Sequence, residues 1–186
     1  MRSLCLLVAL SGLWPSVALA AEPVAPPGFV LCTVREVVTL ENGSRVVMLA
    51  PKGEDVTVPL FIGEAEANAI RMRMERQTAP RPMTHDLLET VIRNLGGKVT
   101  QVLIDDLKDN VYLGKIHISQ GAKAMEIDAR PSDSMALALG TGAPIYAARK
   151  VIDQAGVKNQ ELERPHRRER HRRTEPPASE KPDISL

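Results

Sequence analysis

Between Phe29 and Ile152 the chain passes twice through one order of segments: three Val-, Ile-, Leu- and Thr-rich stretches separated by short turns, then an apolar stretch with helical spacing. Turns this short join antiparallel neighbours, so each set of three reads as a β-meander. The first set is Phe29 to Leu40, Arg45 to Leu49 and Val56 to Ile62. Glu41-Asn42-Gly43-Ser44 reads as an Asn-Gly hairpin of type I′, and Pro51-Lys52-Gly53-Glu54 as the next turn. The second set is Val99 to Ile104, Val111 to Ser119 and Ala124 to Asp128, joined by an acidic turn from Asp105 to Asn110 and by Gln120-Gly121. After the first set, Gly63 opens a helix reaching about Arg76, with Ala67, Ile70 and Met74 on one face. A second helix, Thr84 to Leu95, is expected to bury Leu87, Leu88, Val91, Ile92 and Leu95 against the sheet and to end at Gly96-Gly97. After the second set, Ser132 caps a helix through Leu139 that Gly140 and Gly142 stop. Ala143 to Ala147 is a last strand, and Arg149 to Ile152 closes the domain. The expected fold class is α+β: two antiparallel β-meanders each followed by helix, one compact single domain, with an internal duplication and pseudo-twofold packing.

The flanks differ from this core. Met1-Arg2, the apolar run Leu4 to Leu13 and Ala18-Leu19-Ala20 before Ala21 have the layout of a cleaved secretory signal over residues 1–20. Gly12, Pro15 and Ser16 interrupt the run before the roughly 20 apolar residues of a spanning helix, and no later segment is apolar enough to span. A Pro-rich linker (21–28) precedes the folded domain (29–153). Residues 154–186 form a basic, Pro-rich tail that cannot bury enough surface to fold, with Arg164 to Arg173 its most basic run. The expected location is exported, periplasmic or extracellular. Cys5 leaves with the signal, so Cys32 alone remains and no internal disulfide can form. From Glu22 to Asp153 there are 15 Lys and Arg against 17 Asp and Glu, and from Gln154 onward 8 against 6. Binding of nucleic acid by bulk charge needs a basic folded surface, so here it must rest on a local patch, a metal or the tail.

One pattern stands at two helix starts: Arg81-Pro82-Met83-Thr84-His85-Asp86 and Arg130-Pro131-Ser132-Asp133. In each, Thr84 or Ser132 occupies the expected N-cap, Asp86 or Asp133 sits in the first turn, and an Arg lies just upstream. Free N–H groups, a helix N-terminus and a guanidinium form an anion cradle, and only the first copy adds a His.

Several blocks carry a family likeness: Pro59 to Ala67, Arg81 to Leu88, Asp128 to Leu139, and Gly142-Ala143-Pro144-Ile145-Tyr146. Together they resemble the bifunctional nuclease domain family over about Leu31 to Ile152. The resemblance implies a compact α+β domain that is oligomeric and cleaves both DNA and RNA. With the signal, it also implies a bacterial source.

Phosphodiester hydrolysis needs an activated water, charge stabilisation at phosphorus and a proton for the leaving oxygen. The candidate catalytic residues are His85, Asp86 and Asp133. Substrate phosphates fall to Arg81, Thr84, Arg130 and Ser132, and Glu64, Glu66 and Asp128 are weak candidates for a Mg²⁺ or Mn²⁺ site. Arg81 and Arg130 have a structural alternative, pairing with Asp86 or Asp133 to pin the two helix starts together. There is no Cys/His zinc spacing, Gly-rich phosphate loop or Gly-x-Ser-x-Gly elbow. Base stacking would have to use Phe29, Phe61, Tyr112 or Tyr146, most of which read as buried, so sequence-specific recognition is not expected. The expected function is a sequence-nonspecific nuclease acting on DNA and RNA. The alternative is a non-enzymatic anion-binding or oligomeric interaction module.

Overall fold

The structure, a computed structural model, describes residues 23–162. The expected signal peptide and residues 163–186 of the basic tail lie outside the described residues; the first residues of the tail are folded rather than free as expected, because Val157 and Lys158 pair with Thr57 and Val56, and Asn159 hydrogen-bonds Thr57 and Asp55. Two meanders form as the alternation demands: β1 Phe29–Thr39, β2 Arg45–Pro51 and β3 Val56–Ile62, then β4 Gly97–Lys108, β5 Val111–Gln120 and β6 Lys123–Ala129. Between them run α1 Glu64–Met74 and α2 Thr84–Asn94. After β6 come α3 Pro131–Thr141, β7 Ile145–Ala148, α4 Arg149–Ala155 and the two-residue β8 Val157–Lys158. The protein is a single α+β domain around one eight-stranded sheet of order β6-β5-β4-β7-β1-β2-β3-β8.

Strand β7 joins the halves. It pairs antiparallel with β1 and parallel with β4, and all four of its residues are buried. The meanders therefore run in opposite senses on either side of β7, as a twofold normal to the sheet would place them. Register shifts interrupt β1 at Val34/Glu36 and β4 at Val99/Gln101 and Ile104/Asp106, and bulges of this kind sharpen twist. The sheet curls far enough for the Tyr112 hydroxyl on β5 to donate to the Pro59 carbonyl on β3 at 3.0 Å, although four strands separate β5 from β3 in the sheet order.

Two turns exchange the roles read from sequence. At Asn42-Gly43 only Gly43 has positive φ (83°), because the loop spans five residues between the Thr39–Arg45 pair and needs one left-handed residue. The two-residue type I′ geometry is instead at Asp109 and Asn110, with φ 48° and 61°, closing the Lys108–Val111 pair. The acidic turn expected from Asp105 is thus strand as far as Lys108.

Helices α1 and α2 both pack on α3, which lies against β4 and β5. Helix α3 is buried nearly all round from Pro131 to Ala138, as its apolar sequence requires. The larger correction concerns α2. Only Ile92 of its five expected core residues packs on the core. Leu87, Leu88, Val91 and Leu95 are 60, 41, 44 and 67 % exposed, and the helix buries His85 instead. The helix is held through its His85, Glu89 and Ile92 side, and the apolar stripe lies about a quarter-turn away. Among the described residues no helix is long and apolar enough to cross a membrane.

Gly114 on β5 decides where α3 begins. A Cβ there would stand 2.9 Å from the Ala129 carbonyl, 3.2 Å from the Pro131 nitrogen and 3.3 Å from the Leu103 carbonyl, all backbone atoms. Gly114→Ala is expected to destabilise the domain by about 1–3 kcal/mol, the usual cost of overpacking. Thermal unfolding followed by circular dichroism checks this, and an unchanged midpoint would show that the β6–α3 connection gives way freely.

Candidate functional site

The second copy of the helix-start pattern builds the centre of the site. Arg130 is the N-cap of α3, Pro131 takes the first helical position where its missing N–H is harmless, and Ser132 lies one step inside the helix rather than capping it. Asp133 thereby points back over the first turn. Arg130 Nε donates to Asp133 Oδ2 at 2.7 Å and its NH2 to Oδ1 at 3.1 Å, a two-pronged grip, and NH2 also meets Glu66 Oε1 of α1 at 2.7 Å. His85 Nε2 of α2 completes the row, 3.0 Å from Asp133 Oδ1. Glu66, Arg130, Asp133 and His85 thus form one chain of contacts across the starts of three helices.

The electrostatics follow from this geometry. Burial pushes the Asp133 carboxyl up, but the hydrogen bonds from Arg130 and His85 outweigh it and hold the group below its ordinary value. Arg130 is pushed further up, by Asp133 first and then Glu66. With Asp133 ionised, His85 Nε2 is the donor in this contact, and Nδ1 has no hydrogen-bond partner among the described residues. An imidazole oriented by a carboxylate in this way can take or give a proton. Arg130 is 66 % exposed, and its NH1 likewise has no partner among the described residues.

The first copy of the pattern does different work. Met83, not Thr84, is the N-cap of α2, and the Asp86 carboxylate accepts the Met83 N–H at 2.9 Å. Its other oxygen, Oδ1, accepts from Arg73 NH2 of α1 at 2.8 Å, and Glu89 Oε2 lies 3.4 Å from the same nitrogen. Arg73 is only 10 % exposed and lies against Gly140 of α3, where any side chain would meet it. Asp86 therefore fastens α2 to α1. Arg81 is exposed in the approach to α2 with no partner among the described residues, and Thr84 is exposed at the first helical position.

The carboxylates considered for a metal do not converge. Glu64 pairs with Arg45 at 3.3 Å, Glu66 with Arg130, and Asp128 is exposed on β6 opposite Lys115. Among the described residues no group of three His, Cys, Asp or Glu is placed to hold an ion. The residues present thus do not fit a protein-built Mg²⁺ or Mn²⁺ cage. Asp105 and Asp106 serve lysines: Asp105 meets Lys115 at 3.4 Å, and Asp106 meets Lys150 at 2.9 Å and Lys108 at 3.2 Å. The Lys150 contact chiefly holds Asp106 down at about 2. His117 stands 3.4 Å from Glu126 on the β5–β6 pair, apart from the site. Burial pushes the Cys32 thiol up to about 12, the expectation for an inert core cysteine.

Beside Arg130 lies a groove of about 480 Å³, where the start of α3 meets the end of β3 and the tip of the β4–β5 hairpin. Arg45, Phe61, Tyr112 and Ser132 are among its lining residues. Residue type alone did not assign Arg45 or Arg73 to any site, and it named Phe61 only among four aromatics expected to be mostly buried. Their places follow from sheet curl and helix packing, which leave no local signal.

Comparison with known proteins gives a consistent result. The family model described as "Bifunctional nuclease domain" matches residues 46–160. The "Uncharacterized protein Rv1829" of Mycobacterium tuberculosis is 38 % identical over 112 residues, which are 60 % of this chain and 66 % of that protein. "Bifunctional nuclease 1" of Oryza sativa subsp. japonica is 20 % identical over 116 residues, 61 % of this chain and 35 % of that protein. The chain thus spans just under two thirds of its mycobacterial relative and about a third of the rice protein.

The Asp133 interactions make a pH prediction. A carboxyl held below its ordinary value stabilises the fold fully above the ordinary carboxylate range, and the contribution is lost as pH falls through the lowered value. Asp133→Asn should therefore lower the melting temperature at neutral pH and lose less of it between about pH 5 and about pH 2 than the parent. Melting curves across that range check this, and an equally steep acid limb in the variant would count against the lowered carboxyl.

Proposed function

Because the chain belongs to the bifunctional nuclease domain family, we propose that it hydrolyses phosphodiester bonds of DNA and RNA without sequence preference. The observation that carries this reading is His85 held by Asp133 at 3.0 Å, with exposed Arg130 on the same carboxylate and a groove beside it. In this reading His85 moves the proton, Asp133 orients it, and Arg130 exchanges a carboxylate for a phosphate oxygen of the substrate. Arg81, Thr84 and Ser132 flank the same helix starts and assist phosphate binding. Any Mg²⁺ or Mn²⁺ would arrive with substrate phosphates, since the nearby carboxylates are held by arginines. Export to the periplasm or beyond is part of the proposal and rests on the segment from Met1 to Ala21.

The test uses protein from a nuclease-deficient host and labelled DNA and RNA, with and without EDTA. His85→Ala should lower the cleavage rate by about 10²–10⁴-fold, the usual range for a lost acid or base. Asp133→Asn should also be impaired. Rates unchanged in both variants would remove the site from the mechanism.

A second reading has its own observation. The stripe Leu87, Leu88, Val91 and Leu95 leaves four large apolar side chains exposed on one side of α2, and supports a homo-oligomer. In that reading the domain is an anion-binding or oligomeric module that cuts no bond. Val91→Glu is expected to shift the sedimentation coefficient toward the monomer while leaving the circular dichroism spectrum unchanged. A parent protein that already sediments as a monomer would sink the oligomer.

A further inference from the structure

We infer that the groove beside Arg130 is a subsite for one unpaired base of a single-stranded nucleic acid, with Phe61 as the stacking surface and Arg45 and Arg130 on the flanking phosphates. This deepens the reading of the chain as a nucleic-acid hydrolase and rests on it for the choice of ligand.

Phe61 is the anomaly that motivates the inference. It is 68 % exposed on β3, while the adjacent Leu60 is fully buried, and a ring left in water forfeits the stabilisation that burial would give. Of the four aromatic residues in the folded domain it is the exception. Tyr146 is buried, Phe29 is partly covered against the core, and Tyr112 has its hydroxyl tied to Pro59. The exposed ring also lines a concavity. At about 480 Å³ the groove falls within the roughly 300–1,000 Å³ range of small-ligand sites, which admits one nucleotide unit.

The two arginines lining the groove are already oriented. Arg45 is held by the Gly43 carbonyl and by Glu64, and Arg130 by Asp133 and Glu66. Neither has all its donors engaged: Arg45 Nε and Arg130 NH1 have no partner among the described residues. A guanidinium fixed on one side by carboxylate and open on the other suits a phosphate oxygen. An aromatic face lining the same groove as two such groups offers a strand both of its repeating contacts, base and phosphate. Bases inside a duplex are stacked on each other and cannot reach a ring in a groove, so the subsite selects single strands. Because any base presents a π-face, it selects them without regard to sequence.

The experiment is fluorescence anisotropy on the full chain in EDTA at low salt. Three probes are compared: labelled hexathymidylate, an abasic deoxyribose-phosphate hexamer with the same phosphates, and a blunt hairpin duplex. Probe integrity is checked on a gel after each titration. The parent should prefer hexathymidylate over the abasic strand by about 5- to 100-fold, the worth of one stacked base. Phe61→Ala should bring that ratio to near one with abasic affinity unchanged. Phe61→Trp should retain it, and Arg45→Gln should weaken both single strands alike. Equal binding of the two single strands by the parent, no binding to either, preference for the duplex, or a preference surviving in Phe61→Ala would each overturn the subsite. Cleavage is read separately. Base preference that depends on Phe61 in a chain that cuts nothing would uphold the subsite and reject the hydrolase reading. Cleavage with no such preference would do the reverse.

Discussion

Asp133 receives two partners at once, the guanidinium of Arg130 at the start of its own helix and the imidazole of His85 from the neighbouring helix. Since Arg130 also meets Glu66, the starts of α1, α2 and α3 are joined through this carboxylate and its arginine. The position of α2 depends heavily on the arrangement, because most of its apolar side chains face solvent and its hold on the body comes from polar contacts and Ile92. Individually such pairs contribute little where they are exposed. Their weight here comes from sharing groups across three elements and from partial burial of His85 and Asp133.

Arg73 does for the middle of the helical layer what Arg130 does for its starts. It is more deeply covered and takes Asp86 and Glu89 of α2, with Gly140 leaving room for it against α3. The two arginines differ in what remains open. Arg73 is enclosed, with its Nε buried and unpartnered among the described residues, whereas Arg130 is largely exposed beside the groove with its NH1 unengaged. The two copies of the pattern at the helix starts thus serve different uses: Asp86 caps and fastens, and Asp133 orients a histidine.

Much of the fold was legible along the chain. All six meander strands, the end of α2 at Gly96 and the last strand through Ile145 lie where alternation and left-handed glycines put them, and α3 stops at Gly142 as expected but runs through Gly140, which keeps helical rather than left-handed geometry. The turn types were not legible, because the choice between Asn42-Gly43 and Asp109-Asn110 depends on which residues pair across the hairpin, and register is a property of two strands together. Nor was the burial of α2. A strongly amphipathic helix announces that it has an apolar face but not which face the rest of the molecule covers. The site was legible in part: His85, Arg130 and Asp133 stand out by residue type, while Glu66 joins them only because α1 packs on α3.

The amino-acid sequence by itself determined the six meander strands, the helices α1 to α3 and the strand β7, their order, the antiparallel pairing within each meander and the family to which the chain belongs, because these rest on periodicity, turn residues and short-range sterics. The tertiary structure alone decided that β7 would weld the meanders into one curled sheet, that His85 would meet an aspartate 48 positions away, and that Phe61 would be left bare beside two arginines. Those outcomes come from how a twisted sheet closes on its helices. Contact between distant residues is set by that geometry, and no single segment contains it.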